Sequence, residues 1–195
     1  MKKVEKLNVI VEISSRHVHL SEADLKALFG AEGKLTYKRE LSQPGQYLCD
    51  QRVDLVGPKS TMKNVAVLGP VRPATQVEIS LTDARALGAL APVRESGSVA
   101  GSGVITIEGP CGTVELKEGV IAAKRHIHMT PDDAEKYGLK DKELVTITIE
   151  GDRKTAFHET VLRVSKDFRT RLHIDTDEAN AAGVSGEVTC LVTKE

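Results

Sequence analysis

Aromatic side chains are scarce, with three Phe, three Tyr and no Trp in 195 residues. A surface that stacks nucleic-acid bases needs such rings, so that function class is excluded. Neither sign of charge is in excess, Lys plus Arg numbering 27 against 28 for Asp plus Glu. No broad basic field therefore draws the chain to nucleic acid or to an anionic membrane. No apolar run approaches the roughly 20 residues that span a bilayer, and the opening "MKKVEKLNVI" has no signal-peptide core or cleavage site. The three cysteines, Cys49, Cys111 and Cys190, are scattered and odd in number. That pattern indicates reduced thiols in a cytoplasmic protein, not a disulfide framework.

Histidine is used unevenly. Four of the six histidines fall in two near copies, "SRHVHL" at 15–20 and "KRHIHM" at 124–129. On an extended segment residues i and i+2 share a face, so His17 converges with His19 and His126 with His128. Two adjacent neutral imidazoles form half of a metal site, although a lone His-x-His pair more often marks half-buried strand histidines.

The copies extend beyond the histidines. At the offset that carries His17 onto His126, Arg16 meets Arg125, Ser21 meets Thr130 and Asp24 meets Asp133. Each copy reads as a short helix start, with an N-cap hydroxyl, an acid three residues on and Pro131 at the first helical position. Gly30 and Gly138 are the expected stops. A second pair, "TQVEIS" at 75–80 and "TRLHID" at 170–175, aligns Thr75 with Thr170 and Glu78 with His173. Capped helices follow again, ending at Gly88 and Gly183. In all four places a ligand-type side chain stands two residues before a Ser, Thr or Asp.

The chain thus reads as an internal duplication, repeats 7–95 and 104–193, within one catalytic unit. Stretches such as "LNVIVEIS", "NVAVLG", "GVITIEG", "GTVELKEGVIAA", "LVTITIEG" and "FHETVLRVS" read as strands. Segments 96–103 and 109–112 are turn-rich. The expected fold is mainly β with short α-helices, in two pseudo-symmetric β-barrel lobes capped by helices.

The repeats gather six candidate metal ligands, His17, His19 and Glu78 from one and His126, His128 and His173 from the other. Only His158 is left over, and it reads as an ordinary strand residue. Five imidazoles and a carboxylate suit zinc. Three protein ligands per ion leave open positions, as catalytic sites do, and two ions would then share one cleft. Arg72 breaks the symmetry: it lies six residues before Glu78, where the other repeat has Asp167 before His173. If the segment is extended, the even spacing keeps Arg72 on the ligand face as a clamp for phosphate or carboxylate. "LVGPKST" at 55–61 imitates the end of a phosphate loop but lacks the upstream glycine, and a P-loop is rejected.

Across "VEISSRHVHLS", "RVDLVGPK", "VLGPVRPATQVEIS", "AAKRHIHMTP" and "RLHIDTDEANAAG", the chain resembles the phosphate propanoyltransferases, bacterial phosphotransacylases associated with propanediol degradation. The resemblance covers nearly the whole sequence. It implies two β-barrel lobes, a di-zinc centre, coenzyme A as substrate, and the interconversion of a propanoyl- or acetyl-CoA plus phosphate with acyl phosphate plus CoA. It puts Arg72 at the phosphate and suggests that the first strand, 7–15, packs in the barrel of the C-terminal half. Ser14, Ser15 and Arg16 are read as CoA contacts beside the first His pair, with Lys59 and Asn180 as further CoA contacts. Relatives packaged in bacterial microcompartments carry an N-terminal encapsulation helix. Here "MKKVEK" is too short and too polar for that role, so a cytoplasmic enzyme is expected over a shell-associated one, and a homodimer is compatible with the reading. Two alternatives use the same ligands: a di-zinc acyl-CoA hydrolase, and a non-catalytic metal-binding module.

Overall fold

The structure, a computed structural model, describes residues 7–194. The reading of residues 1–6 as too short for an encapsulation helix lies outside them. The chain forms two compact units: Ser15–Ala123 make one, while the segment ending at Ser14 joins Lys124 onward to make the other.

The first strand, β1 (Leu7–Ser14), belongs to the second unit. The first unit begins with β2 (His17–Ser21) and α1 (Glu22–Phe29), followed by β3 (Tyr37–Glu40), β4 (Tyr47–Val56), β5 (Thr61–Arg72) and β6 (Gln76–Glu78). Then come α2 (Leu81–Leu87), β7 (Val93–Arg94), β8 (Gly103–Glu108) and β9 (Thr113–Ala123). Six of these strands close a ring in the order β4-β5-β2-β6-β9-β8 and back to β4. The second unit adds β10 (His126–Met129), α3 (Pro131–Tyr137), β11 (Leu144–Ile149), β12 (Thr155–Val164), β13 (Arg171–Asp175), α4 (Thr176–Ala182) and β14 (Val188–Lys194). With β1 they close a second barrel, β1-β13-β10-β12-β11-β14.

The two rings match ladder for ladder. Each His-pair strand runs parallel to one neighbour (β5 or β12) and antiparallel to the other (β6 or β13). Beyond β6 lies β9 in parallel, and beyond β13 lies β1 in parallel. The strand preceding each His pair in sequence therefore completes the ring that does not contain that pair. A barrel has no unpaired edge, so omitting either strand would expose a row of backbone donors and acceptors.

Alternation explains the cores. Val18 and Leu20 pack in one apolar cluster and Ile127 and Met129 in the other, all fully buried. The intervening His17, His19, His126 and His128 necessarily lie on the opposite face of their strands. The helices start as their sequences dictate. Ser21, Ser80, Thr130 and Asp175 accept from the backbone N–H three residues on, and Asp175 with Glu178 completes a capping box. Gly88, Gly138 and Gly183 end their helices in the left-handed conformation, whereas Gly30 ends α1 with φ 90° and ψ 165°.

The segment rejected as a P-loop is the β4–β5 hairpin turn, Gly57 N–H donating to Ser60. It packs on the last carbonyls of α2, with Lys59 N–H bonded to Leu87 O at 2.9 Å and Ser60 Oγ to Ala86 O at 2.7 Å. A Cβ on Gly57 would lie 2.3 Å from Leu87 O. The carboxyl end of a helix is the wrong pole for phosphate. Among the described residues no helix is long and apolar enough to cross a membrane.

Candidate metal centres

Each unit brings three ligand-type side chains together. In the first, His17 and His19 project from β2, and Glu78 on β6 stands directly across the ladder from His17. In the second, His126 and His128 project from β10, and His173 on β13 stands across from His126. Within each triad one ligand atom from every residue lies within 4.8 Å of the others. The turns before β6 and β13 are pinned alike: Thr75 Oγ1 accepts from Ser21 N–H (2.8 Å) and donates to Asp24, and Thr170 Oγ1 accepts from Thr130 N–H (3.2 Å) and donates to Asp133. These threonines fix the ligand strand against the start of the helix that follows the His pair.

The hydrogen bonds assign ring nitrogens. His17 Nδ1–H donates to Ser15 O at 2.8 Å and His126 Nδ1–H to Lys124 O at 2.9 Å, which leaves Nε2 of both as a lone-pair donor. Nδ1 of His19, whose ladder neighbour is Leu68, is buried without a partner. Nδ1 of His128 is likewise buried and unpartnered. A buried, unsatisfied imidazole nitrogen is costly unless something accepts its lone pair. A zinc ion at each triad would satisfy that requirement, so the residues present fit the metal.

Burial and neighbouring charge set the protonation states. Burial, the adjacent His17 and the Arg72 guanidinium together pull the His19 pKa down to about 2. His128 is also lowered to about 2, by burial, by His126 and His173, and by Arg163. Both rings are therefore neutral near pH 7, the form that ligates. Burial opposes the His17 cation, but the facing Glu78 carboxylate outweighs it and raises the pKa. Burial likewise opposes the Glu78 anion, yet His17 holds that carboxyl well below the usual range. Glu78 Oε2 lies 3.6 Å from His17 Nε2, while Oε1 accepts from Gln76 Nε2 at 2.5 Å and Ser96 Oγ at 2.8 Å.

Arg72 reaches the first triad by a route other than an extended run, since β5 ends at Arg72 and residues 73–75 separate it from β6. Its Nη1 donates to Ser96 Oγ at 3.3 Å, and Ser96 in turn holds Glu78. Ser15 contributes its carbonyl to His17. Arg16 forks onto Asp83 with Nε at 2.9 Å and Nη2 at 2.8 Å, and its repeat partner Arg125 meets Glu178 at 2.7 Å. Lys59 occupies the hairpin turn at the end of α2. Ser14 ends β1, opposite Asp175, and Asn180 is an exposed residue of α4.

Other residues at the triads escape a reading of spacing. Gln76 was accessible in principle, because it lies two before Glu78 and shares its face. Ser96 sits in a segment that reads only as turn. Phe168 lies beside the His128 ring at 4.1 Å between centroids, and the Arg163 guanidinium carbon is 5.9 Å from the Phe168 ring centroid. The second triad therefore has a nearby cation that the Arg72–Asp167 comparison does not reveal. Glu12, across the ladder from His173, carries no local signature of a site residue.

Comparison with known proteins points the same way. A family model described as phosphate propanoyltransferase matches residues 10–185. The phosphate propanoyltransferase of Listeria monocytogenes is 55% identical over 175 residues, covering 90% of this chain and 82% of the relative. That of Clostridioides difficile is 53% identical over 185 residues (94% and 88%). That of Thermotoga maritima is 55% identical over 175 residues (89% and 83%).

Proposed function

Because the chain belongs to the phosphate propanoyltransferase family, and so is an acyltransferase, we propose that it interconverts a short-chain acyl-CoA plus phosphate with acyl phosphate plus CoA, with one zinc ion at each triad. The observation that carries the zinc assignment is the pair of buried, partnerless Nδ1 atoms, one in each triad.

In this reading His17, His19 and Glu78 hold one ion and His126, His128 and His173 the other. Bound zinc supplies Lewis acidity, which stabilises a thiolate and negative charge developing on a carbonyl oxygen. Arg72 takes the phosphate: a guanidinium offers two parallel donors to a tetrahedral anion, and its Ser96 anchor restricts its orientation. A phosphate oxygen adds to the thioester carbon, the C–S bond breaks, and CoA leaves as thiolate. No acyl-enzyme is needed, since holding both reactants together provides much of the rate gain. Ser14, Ser15, Arg16, Lys59 and Asn180 are assigned to CoA. The Asp83 fork uses Nε and Nη2 of Arg16, so Nη1 is the group assigned to the nucleotide.

The test is thiol release from acetyl-, propanoyl- and butanoyl-CoA with and without phosphate, with metal analysis of the same sample. The proposal requires release that depends on phosphate and about two zinc ions per chain. Release without phosphate would identify a hydrolase instead.

A further inference from the structure

The two triads differ in where their negative charge lies. In the first, the carboxylate is a ligand: Glu78 on β6, with Ile121 across the ladder on β9. In the second, the residue at the place of Glu78 is His173, and the residue across the ladder, on β1, is Glu12. The exchange is reciprocal. One unit pairs a ligand carboxylate with an apolar neighbour, the other a ligand imidazole with a carboxylate neighbour.

Glu12 Oε2 lies 3.7 Å from His173 Nδ1, and Oε1 lies 3.5 Å from Arg171 Nε. Both partners are sheltered, the side chains of His173 and Glu12 being 14% and 28% exposed. The nitrogen assignments leave this ring as the open case in its triad. His126 turns Nδ1 to the Lys124 carbonyl, and His128 has its Nδ1 unpartnered. An Nδ1–H of His173 directed at Glu12 leaves Nε2 as the ligating atom. Metal-bound histidines commonly donate their other N–H to a carboxylate, which fixes tautomer and ring orientation and makes the ligand more basic.

We propose that Glu12 is a positioning residue for the second triad: its carboxylate accepts the Nδ1–H of His173 and supplies, from outside the ligand set, the negative charge that Glu78 supplies within the first. The inference rests on the reading that the triads hold zinc. It also gives β1 a role beyond closing the barrel, because the strand that completes the second ring delivers the carboxylate for its triad.

The experiment uses the full chain carrying His17→Ala and His19→Ala, so that tight zinc binding reports the second triad alone. Zinc affinity is measured by competition with a chromophoric chelator, before and after adding Glu12→Gln, which keeps shape and removes charge. A loss of about 10–100-fold in affinity is expected. Glu12→Asp, one methylene shorter, should also weaken binding, and it serves if the Gln variant does not fold. In the complementary background, His126→Ala with His128→Ala, Glu12→Gln should leave the first triad's affinity unchanged. Unchanged affinity of the second triad in both Glu12 variants would reduce Glu12 to the partner of Arg171 and overturn the proposal. A parent protein whose second triad takes up no zinc would overturn the zinc reading itself, a result distinct from loss of the Glu12 effect alone.

Discussion

In the proposed reaction Arg72 would carry the chemistry that one triad alone cannot provide, because zinc ligands do not select phosphate as nucleophile. Its guanidinium is tied through Ser96 to the oxygen of Glu78 that faces away from His17. Arg72→Ala should lower the phosphate-dependent rate by roughly 10²–10³-fold, the usual cost of removing one charge-stabilising donor, while zinc content stays at the wild-type value. Arg72→Lys should recover only part, since an ammonium cannot make the two-pronged contact. An Ala variant with unchanged rate and phosphate dependence would place the phosphate elsewhere. The cysteines give a second test at this scale. Burial pushes Cys49 up to about 11 and Cys190 up to about 12, whereas Cys111 is exposed. Thiolate is the reactive form. The native protein near pH 8 should therefore take up one alkylating label, at Cys111, and the denatured protein three, as read by mass spectrometry of intact protein and peptides.

At the level of elements, each ligand strand runs straight into a capped helix, so a cap that fails loosens the ligand two residues before it. Asp175 shows the linkage most clearly. Its carboxylate accepts from Glu178 N–H at 2.9 Å, and Glu178 returns the contact to Asp175 N–H at 3.2 Å. Asp175→Ala should cost about 1 kcal/mol, measured as a lower urea midpoint with an unchanged slope. A larger effect is expected from the strand that closes the second ring. Deleting residues 7–14 removes the partner of both β13 and β14 and bares their ladders. The truncated protein should lose the zinc of the second triad and gain protease sensitivity after Lys124. Retention of both properties would show that β1 is dispensable to its barrel.

For the whole molecule, two separate apolar clusters and two separate triads predict additive metal content if each triad holds an ion as proposed. His17→Ala and His126→Ala should each reduce zinc from about two to about one per chain by elemental analysis, and each should abolish phosphate-dependent thiol release. Loss of both ions in either variant would mean that the triads do not load independently. Strong chelation should remove activity, and added zinc should restore it.

Local chemistry made much of this legible in the sequence. Residues two apart on a strand share a face, so His17 with His19 and His126 with His128 announced themselves. Cap side chains, N3 acids and terminal glycines marked four short helices, and the offset between repeats joined Glu78 and His173 to the pairs. Strand β4 is harder to read because Asp50, Gln51 and Arg52 interrupt its apolar pattern between the buried Cys49 and Val53, where its register against β5 also shifts. Other features required long-range closure. "LNVIVEIS" says that it is a half-buried strand, and nothing in its period says which barrel it completes. Ser96 stands on Glu78 because a turn folds back, and Glu12 faces His173 because β1 lies parallel to β13. Periodicity fixes which face a side chain takes, whereas its neighbour across a ladder is set by pairing between segments distant in the chain.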